Sequence, residues 1–150
     1  MTSIETTRMP VTFAKNDLAE IRRHGEAAYP NECCGFLLGR PEAAPRFIVQ
    51  TQRAPNQRLD SPQNRYQISP QDYLQVDRQA REAGLEIIGF YHSHPDHPAR
   101  PSQYDLEHAW PVFVYVIISV NQSQAGDTTA WVLADDRSRF LPEEIIASST

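Results

Sequence analysis

His92 and His94 stand two apart in the run Tyr91-His92-Ser93-His94-Pro95, and Ser102 and Asp105 follow after one short loop. The residues just ahead, Ile87-Ile88-Gly89-Phe90, are apolar and read as a strand. On a strand, residues i and i+2 point to the same face. Two imidazoles on one face, joined by an aspartate that the next turn of chain brings back, make a three-ligand metal site. Two His and one carboxylate leave a fourth position open for water, as in catalytic rather than structural zinc sites. A single His is usually a satisfied core or surface residue. Two at this spacing, after a buried strand and before Pro-rich chain, fit metal ligation better. His97 lies beyond Pro95, where the strand pattern has stopped, and is expected to face solvent at the mouth. His24 and His108 are expected on helix surfaces.

Ser102 and Asp105 are three apart, which puts them on one face of a helix. This admits two readings. Ser102 can be an N-cap with an acid at N3, a variant of the capping box. Alternatively Asp105 is the third ligand and Ser102 a hydrogen-bond donor beside it. The His pair favours the second. Cys33 and Cys34 are adjacent. Neighbouring Cα atoms sit about 3.8 Å apart, short of the usual disulfide range of about 4.4–6.8 Å. Two free thiols are expected, in a reducing compartment. A nucleophilic cysteine with His92 as its base needs an exposed, electropositive setting, and the start of an apolar run does not supply one.

The elements that must position these groups follow from pattern. Lys15 to Ala28 carries Leu18, Ile21 and Ala28 among charges and reads as an amphipathic helix ended by Tyr29-Pro30. Cys33 to Leu38 is a buried strand closed by Gly39, and Phe47 to Thr51 pairs with it across residues 40–45. Ala54 to Arg65 is a long polar loop expected to border a substrate path. Tyr66 to Ile68 is a candidate short strand. Ser69-Pro70 reads as an N-cap followed by Pro at N1, opening a helix to about Ala83 that Gly84 ends. Glu86 to His92 is the strand bearing the His pair, and His94 to Pro101 is a loop. Ser102 to Ala109 is a short helix, Val112 to Val120 a buried strand, and Thr128 to Leu133 its antiparallel partner across residues 121–127. The order α-β-β-α-β-α-β-β implies an α/β fold: one domain with a mixed central β-sheet flanked by helices. It spans residues 12–142, between a flexible N-terminus (1–11) and a C-terminal tail (143–150).

The order Glu32, His92-Ser93-His94-Pro95, Ser102, Asp105 resembles the signature of the JAMM (MPN+) metalloproteases: a Glu, then H-S/T-H-P, then S-x-x-D. Ten residues separate His94 from Asp105, as that signature requires. The stretch Pro30-Asn31-Glu32-Cys33-Cys34-Gly35-Phe36-Leu37-Leu38-Gly39 and the run from Pro98 to Ser102 resemble the small bacterial branch, which processes ubiquitin-like sulfur-carrier proteins. The resemblance implies an MPN-type domain that holds Zn2+ through His92, His94 and Asp105. Such an ion lowers the pKa of its water from 15.7 toward about 7. The resemblance also implies Glu32 as general base and acid and Ser102 as oxyanion donor, worth on the order of 3 kcal/mol. Nothing local marks Glu32 otherwise. Ser93 alternates away from the His face and is expected to bond loop backbone. The implied activity is a zinc peptidase or isopeptidase acting at the C-terminal Gly-Gly of a ubiquitin-like partner. Two alternatives carry the same ligand set: an MPN-type scaffold that only binds partners, and a non-haem iron enzyme. A zinc deaminase would need H-x-E and P-C-x-x-C, which are missing.

Composition narrows the rest. At 150 residues, 40% apolar and 22% charged, the chain suits one ordinary core. A net charge of −5 argues against general affinity for nucleic acid or anionic membrane. The first residues lack a signal-peptide core, and the longest apolar run, Val112 to Val120, is too short to span a bilayer. A cytoplasmic enzyme is expected; nothing in the sequence selects an oligomeric state.

Overall fold

A computed structural model describes residues 10–40, 46–56 and 66–148. Its elements are β1 (Val11–Phe13), α1 (Lys15–Ala28), β2 (Cys34–Gly39), β3 (Phe47–Ala54), α2 (Pro70–Glu82), β4 (Glu86–Pro95), α3 (Gln103–His108), β5 (Val114–Asn121), β6 (Gln124–Leu133), β7 (Phe140–Glu143) and β8 (Ile145–Ala147). The strands form one eight-stranded sheet in the order β7-β6-β5-β4-β2-β3-β1-β8. It is mixed: β4 runs parallel to β5, and β1 parallel to both β3 and β8, while the other neighbours are antiparallel.

Helices cover both faces, and side-chain alternation sorts the core between them. Cys34, Phe36 and Leu38 of β2 pack with Val76 and Ala80 of α2. Leu37 points the other way, into a cluster with Ile21 of α1 and Val114, Val116, Ile118 and Val120 of β5. Strand β5 is buried on both faces from Val114 to Val120, which is why its sequence is a continuous apolar run rather than an alternating one. Helix α2 starts as expected: Pro70 occupies its first turn and the Ser69 hydroxyl accepts from the Asp72 N–H at 3.0 Å. Gly84 takes a φ of 76° just beyond its end, a conformation that costs glycine little.

Several elements differ from the pattern-based expectation. Strands β1, β7 and β8 were not anticipated. β1 and β8 are three residues each, too short to carry a period. β7 contains Pro142, which argues against a strand except at a sheet edge, and β7 is an edge strand. Residues 145–147 thus pair in the sheet within the stretch read as a tail. β4 extends through His94 to Pro95 because β5 pairs with it as far as Val120, while the ladder to β2 stops at Cys34–His92. The missing Pro95 N–H therefore breaks nothing on the β2 side. The expected loop over 121–127 is a two-residue hairpin with Gln122 and Ser123 at φ 49° and 70°. Both lie in the region that usually calls for Asn-Gly, so the usual turn signal was absent. Tyr66 to Ile68 is not a strand. The Gln67 N–H goes to Asn56 Oδ1 at 3.0 Å rather than to a sheet neighbour. His24 is half-buried, not a plain surface residue. Its Nδ1 lies 2.7 Å from the Tyr91 hydroxyl, and burial lowers its pKa to about 4. The expectations for residues 1–9, for the turn over 41–45 and for loop residues 57–65 lie outside the described residues. None of the described helices is long and apolar enough to cross a membrane.

Candidate metal centre

The alternation of β4 turns His92 and His94 to one face and Tyr91 and Ser93 to the other. The two imidazoles converge, with their Nε2 atoms 3.2 Å apart. α3 supplies the third group. The Ser102 hydroxyl accepts from the Asp105 N–H at 3.1 Å, and Asp105 Oδ2 accepts from the Ser102 N–H at 2.8 Å, a complete capping box. In that pose Asp105 Oδ1 lies 3.3 Å from His92 Nε2 and Oδ2 lies 3.3 Å from His94 Nε2. The two readings of S-x-x-D are therefore not rivals. The cap is what aims the carboxylate at the histidines.

The three side chains form a triangle in which the two Nε2 atoms are 3.2 Å apart and each lies 3.3 Å from a different oxygen of Asp105. Ligands about 2.0–2.1 Å from a tetrahedral zinc stand about 3.3–3.4 Å apart, close to the spacing of each of these donor pairs. The donor chemistry agrees. His94 Nδ1 is 2.9 Å from the Pro98 carbonyl, which only accepts, so this nitrogen carries the proton and Nε2 presents its lone pair. Burial lowers the pKa of His92, outweighing the Asp105 carboxylate, and keeps the ring in the neutral form that binds metal. Burial alone would raise Asp105. The neighbouring His92 and the Ser102 N–H, which donates to Oδ2, hold it well below the usual carboxylate range, as an anion. Among the described residues, His92, His94 and Asp105 are a group that could hold a cation.

Glu32 stands outside this triangle, just ahead of β2, and is 5% exposed. Desolvation, reinforced by the Asp105 charge, raises its pKa from 4.5 to about 9. Ser93 ties this segment to the His-bearing strand. Its Oγ accepts from the Cys33 N–H at 2.8 Å, and its own N–H reaches the Cys33 carbonyl at 3.1 Å. Ser93 is thus structural, as its alternation implied. The Glu32 carbonyl also accepts from Asn56 Nδ2 at 3.2 Å. Both cysteines are buried, free thiols. Desolvation pushes Cys33 up to about 11 and Cys34 higher still, which leaves neither a nucleophile at neutral pH.

His97 and His108 are exposed, as expected, and Ser102 is exposed at the rim. Sequence reasoning missed the surroundings. Tyr66 stacks on the His92 ring at 4.5 Å. Beside the triangle lies a cavity of about 600 Å³, walled by His92 and Asp105 on one side and by Tyr66, Tyr73, Phe90, Tyr104, Trp110 and Phe113 on the others. These aromatics come from five separate stretches of chain, so no local pattern announces them. The nearest signal was the concentration of Tyr and Phe around the motif.

Residues 14–134 match the family of prokaryotic homologs of the JAB domain. A desampylase of Haloferax volcanii is 33% identical over 130 residues, 85% of this chain and 88% of that protein. A probable TtuB-protein conjugate cleaving protease of Thermus thermophilus is 34% identical over 109 residues, 72% of this chain and 69% of that one. A solved protein of Salinibacter ruber superimposes with a TM-score of 0.73 at 44% identity, over 93% of this chain and 92% of that one. A JAB1/MPN domain protein of Archaeoglobus fulgidus shares the fold, with a TM-score of 0.55 at 16% identity over 91% and 99%. With the H-S-H-P run, the capped aspartate and the MPN-type sheet on one chain, this protein belongs to the prokaryotic JAB-domain family.

Proposed function

We propose that this protein is a zinc-dependent hydrolase that cleaves a peptide or isopeptide bond at the C-terminal Gly-Gly of a ubiquitin-like protein, including sulfur-carrier proteins. One observation carries the reading. A buried carboxyl, Glu32, stands outside the ligand triangle yet feels the charge of Asp105. A binding scaffold has no use for such a group, and neither has an iron oxygenase. The relatives named a desampylase and a conjugate cleaving protease support hydrolysis of ubiquitin-like conjugates in particular.

His92, His94 and Asp105 would hold the zinc, which supplies Lewis-acid chemistry: it acidifies water and polarises the scissile carbonyl. Glu32 takes the proton of the attacking water and delivers it to the leaving amine, so the nitrogen departs neutral. A dication held beside it would favour its charged form, opposing the effect of burial. The Ser102 hydroxyl, whose oxygen already accepts from the Asp105 N–H, has its own proton to donate to the developing oxyanion. The Tyr66 ring limits the freedom of His92. The aromatic cavity takes an apolar side chain of the substrate near the scissile bond. Residues 66–68 lie at its rim outside the sheet, where an extended tail can align. Glycines at the cut suit a close approach, since they carry no side chain. The buried free thiols accord with a cytoplasmic setting.

The test is mass spectrometry of ubiquitin-like carriers, extended or conjugated beyond Gly-Gly, incubated with zinc-loaded protein. Cleavage directly after Gly-Gly is expected, and a bulky replacement of the last Gly should block it. Equal cutting of that replacement, or efficient cutting of unrelated unfolded peptides, would point to a general peptidase.

A further inference from the structure

The stretch after β4 offers three consecutive carbonyls, and each is taken by a different side chain. The His97 carbonyl accepts from the Ser119 hydroxyl at 2.7 Å. The Pro98 carbonyl takes the Nδ1 proton of His94 at 2.9 Å. The Ala99 carbonyl accepts from the Thr129 hydroxyl at 2.6 Å. Thr129 is itself oriented, because its oxygen accepts from the Trp131 indole N–H at 2.8 Å. The register explains the convergence. Ser119 on β5 lies directly across from His94, and Thr129 on β6 lies across from Ile117, the partner of His92. Both therefore share the His face.

Apart from Tyr115, Ser119 is the one residue with a polar side chain in the buried run Val114–Val120 of β5. A valine or isoleucine there would continue the strand's own pattern. A hydroxyl that is 5% exposed is tolerated because it has an acceptor. That acceptor is the peptide next to the one His94 uses. The Pro98 carbonyl also accepts from the Arg100 N–H at 2.8 Å, and fixing the carbonyls on either side of it further limits its freedom to turn away. The proton on His94 Nδ1 then stays where it is, and Nε2 keeps its lone pair toward His92 and Asp105.

We infer that Ser119 and Thr129 are positioning residues for the metal centre. Through the carbonyls of His97 and Ala99 they hold the Pro98 carbonyl against His94, setting its tautomer and ring orientation. The inference rests on the reading of His92, His94 and Asp105 as metal ligands. Partners of ligating histidines typically contribute about 10–100-fold in metal affinity. A clamp acting one bond further out should give about 10-fold for Ser119→Ala or Thr129→Val, and more for the two together.

The experiment titrates metal-free protein with Zn2+ against a chromogenic chelator and records the visible spectrum of the Co2+ form. Expected are weaker zinc binding and an altered Co2+ spectrum in both single variants. Ser119→Thr and Thr129→Ser, which keep the hydroxyl, should recover most of the wild-type affinity. Tyr29→Phe is the control. It removes the 2.6 Å bond to Asp96 in the same loop without touching the three carbonyls, and should leave metal binding unchanged. Wild-type affinity and spectrum in the hydroxyl-free variants would overturn the inference, as would a loss no smaller in the hydroxyl-keeping pair or in Tyr29→Phe. Failure of the wild-type protein itself to bind zinc would overturn the metal-centre reading beneath it.

Discussion

Tyr91 and Ser93 of β4 face α1, whereas His92 and His94, alternating with them, face α3. The two pairs differ in how their polar atoms are answered. On the α1 side each finds a partner within the chain: the Tyr91 hydroxyl meets His24 Nδ1 at 2.7 Å, and Ser93 Oγ meets the Cys33 N–H at 2.8 Å. The surroundings are otherwise a dry cluster of Val, Ile and Leu. On the α3 side, the two Nε2 atoms stand 3.2 Å apart and each lies 3.3 Å from an oxygen of Asp105. His92 Nδ1 has no hydrogen-bond partner among the described residues. Nature has used one strand for two jobs, with odd residues closing the core and even residues concentrating lone pairs on a point. Such buried concentration is costly unless something binds it.

The comparison breaks most visibly at the histidines. His92→Ala or His94→Ala should abolish zinc binding, measured by elemental analysis. Activity should fall by more than the ~10²–10⁴-fold expected for losing a general acid–base alone, with the sheet intact by circular dichroism. Full zinc in either variant would remove that histidine from the ligand set.

Glu32→Gln should retain zinc and lose about 10²–10⁴-fold in kcat. It also sharpens the comparison through stability. A carboxyl whose pKa rises from 4.5 to about 9 on folding holds a proton that the unfolded chain releases. Its contribution therefore falls as pH rises through that window. In metal-free protein, Glu32→Gln should leave stability unchanged near pH 4. By pH 7 it should add about 2–3 kcal/mol, a discounted figure for two and a half pH units. Denaturant titrations at the two pH values test this. A flat difference would show that Glu32 is charged at no cost in the folded state.

Gly35→Ala tests the α1 side. A methyl there would stand 2.3 Å from the Tyr91 ring, so the buried ring must move. A loss of about 1–3 kcal/mol is expected, seen in thermal unfolding, with zinc affinity preserved. Smallest of all is Tyr91→Phe, which leaves His24 Nδ1 without the hydroxyl. A loss of about 1–2 kcal/mol with unchanged kcat is expected. A tenfold fall in kcat would mean that the two faces are coupled.

The candidate ligand set was legible because its signal is local: i, i+2 on a strand, and i, i+3 across a helix cap. Helices α1 and α2 were legible for the same reason, through period, Ser69-Pro70 and Gly84. What sequence could not supply were features assembled over distance. Glu32 sits in a context that looks like ordinary surface, and becomes buried only when Ser93 docks its segment. Ser119 reads as one blemish in an apolar strand until the loop carbonyls arrive above it. The cavity draws on residues from Tyr66 to Phe140. Strands β1 and β8 are stabilised by each other and by β3, not by their own composition.

Strands β7 and β8 occupy opposite ends of the sheet, yet only Glu144 lies between them. A flat eight-stranded sheet would separate its ends by roughly 34 Å at about 4.8 Å per strand. A single linking residue spans far less, so the sheet must curl until its corners meet. The Arg46–Glu143 ion pair at 3.2 Å and the Val11 N–H on the Glu144 carbonyl at 2.8 Å sit at that corner. The sheet is thereby a belt with a one-residue buckle. A slip of β8 along β1 by one residue would have to drag β7 along β6, turning inward side chains outward at both ends at once. Neither end can shift alone, so a slip at one edge of the sheet is felt at the other.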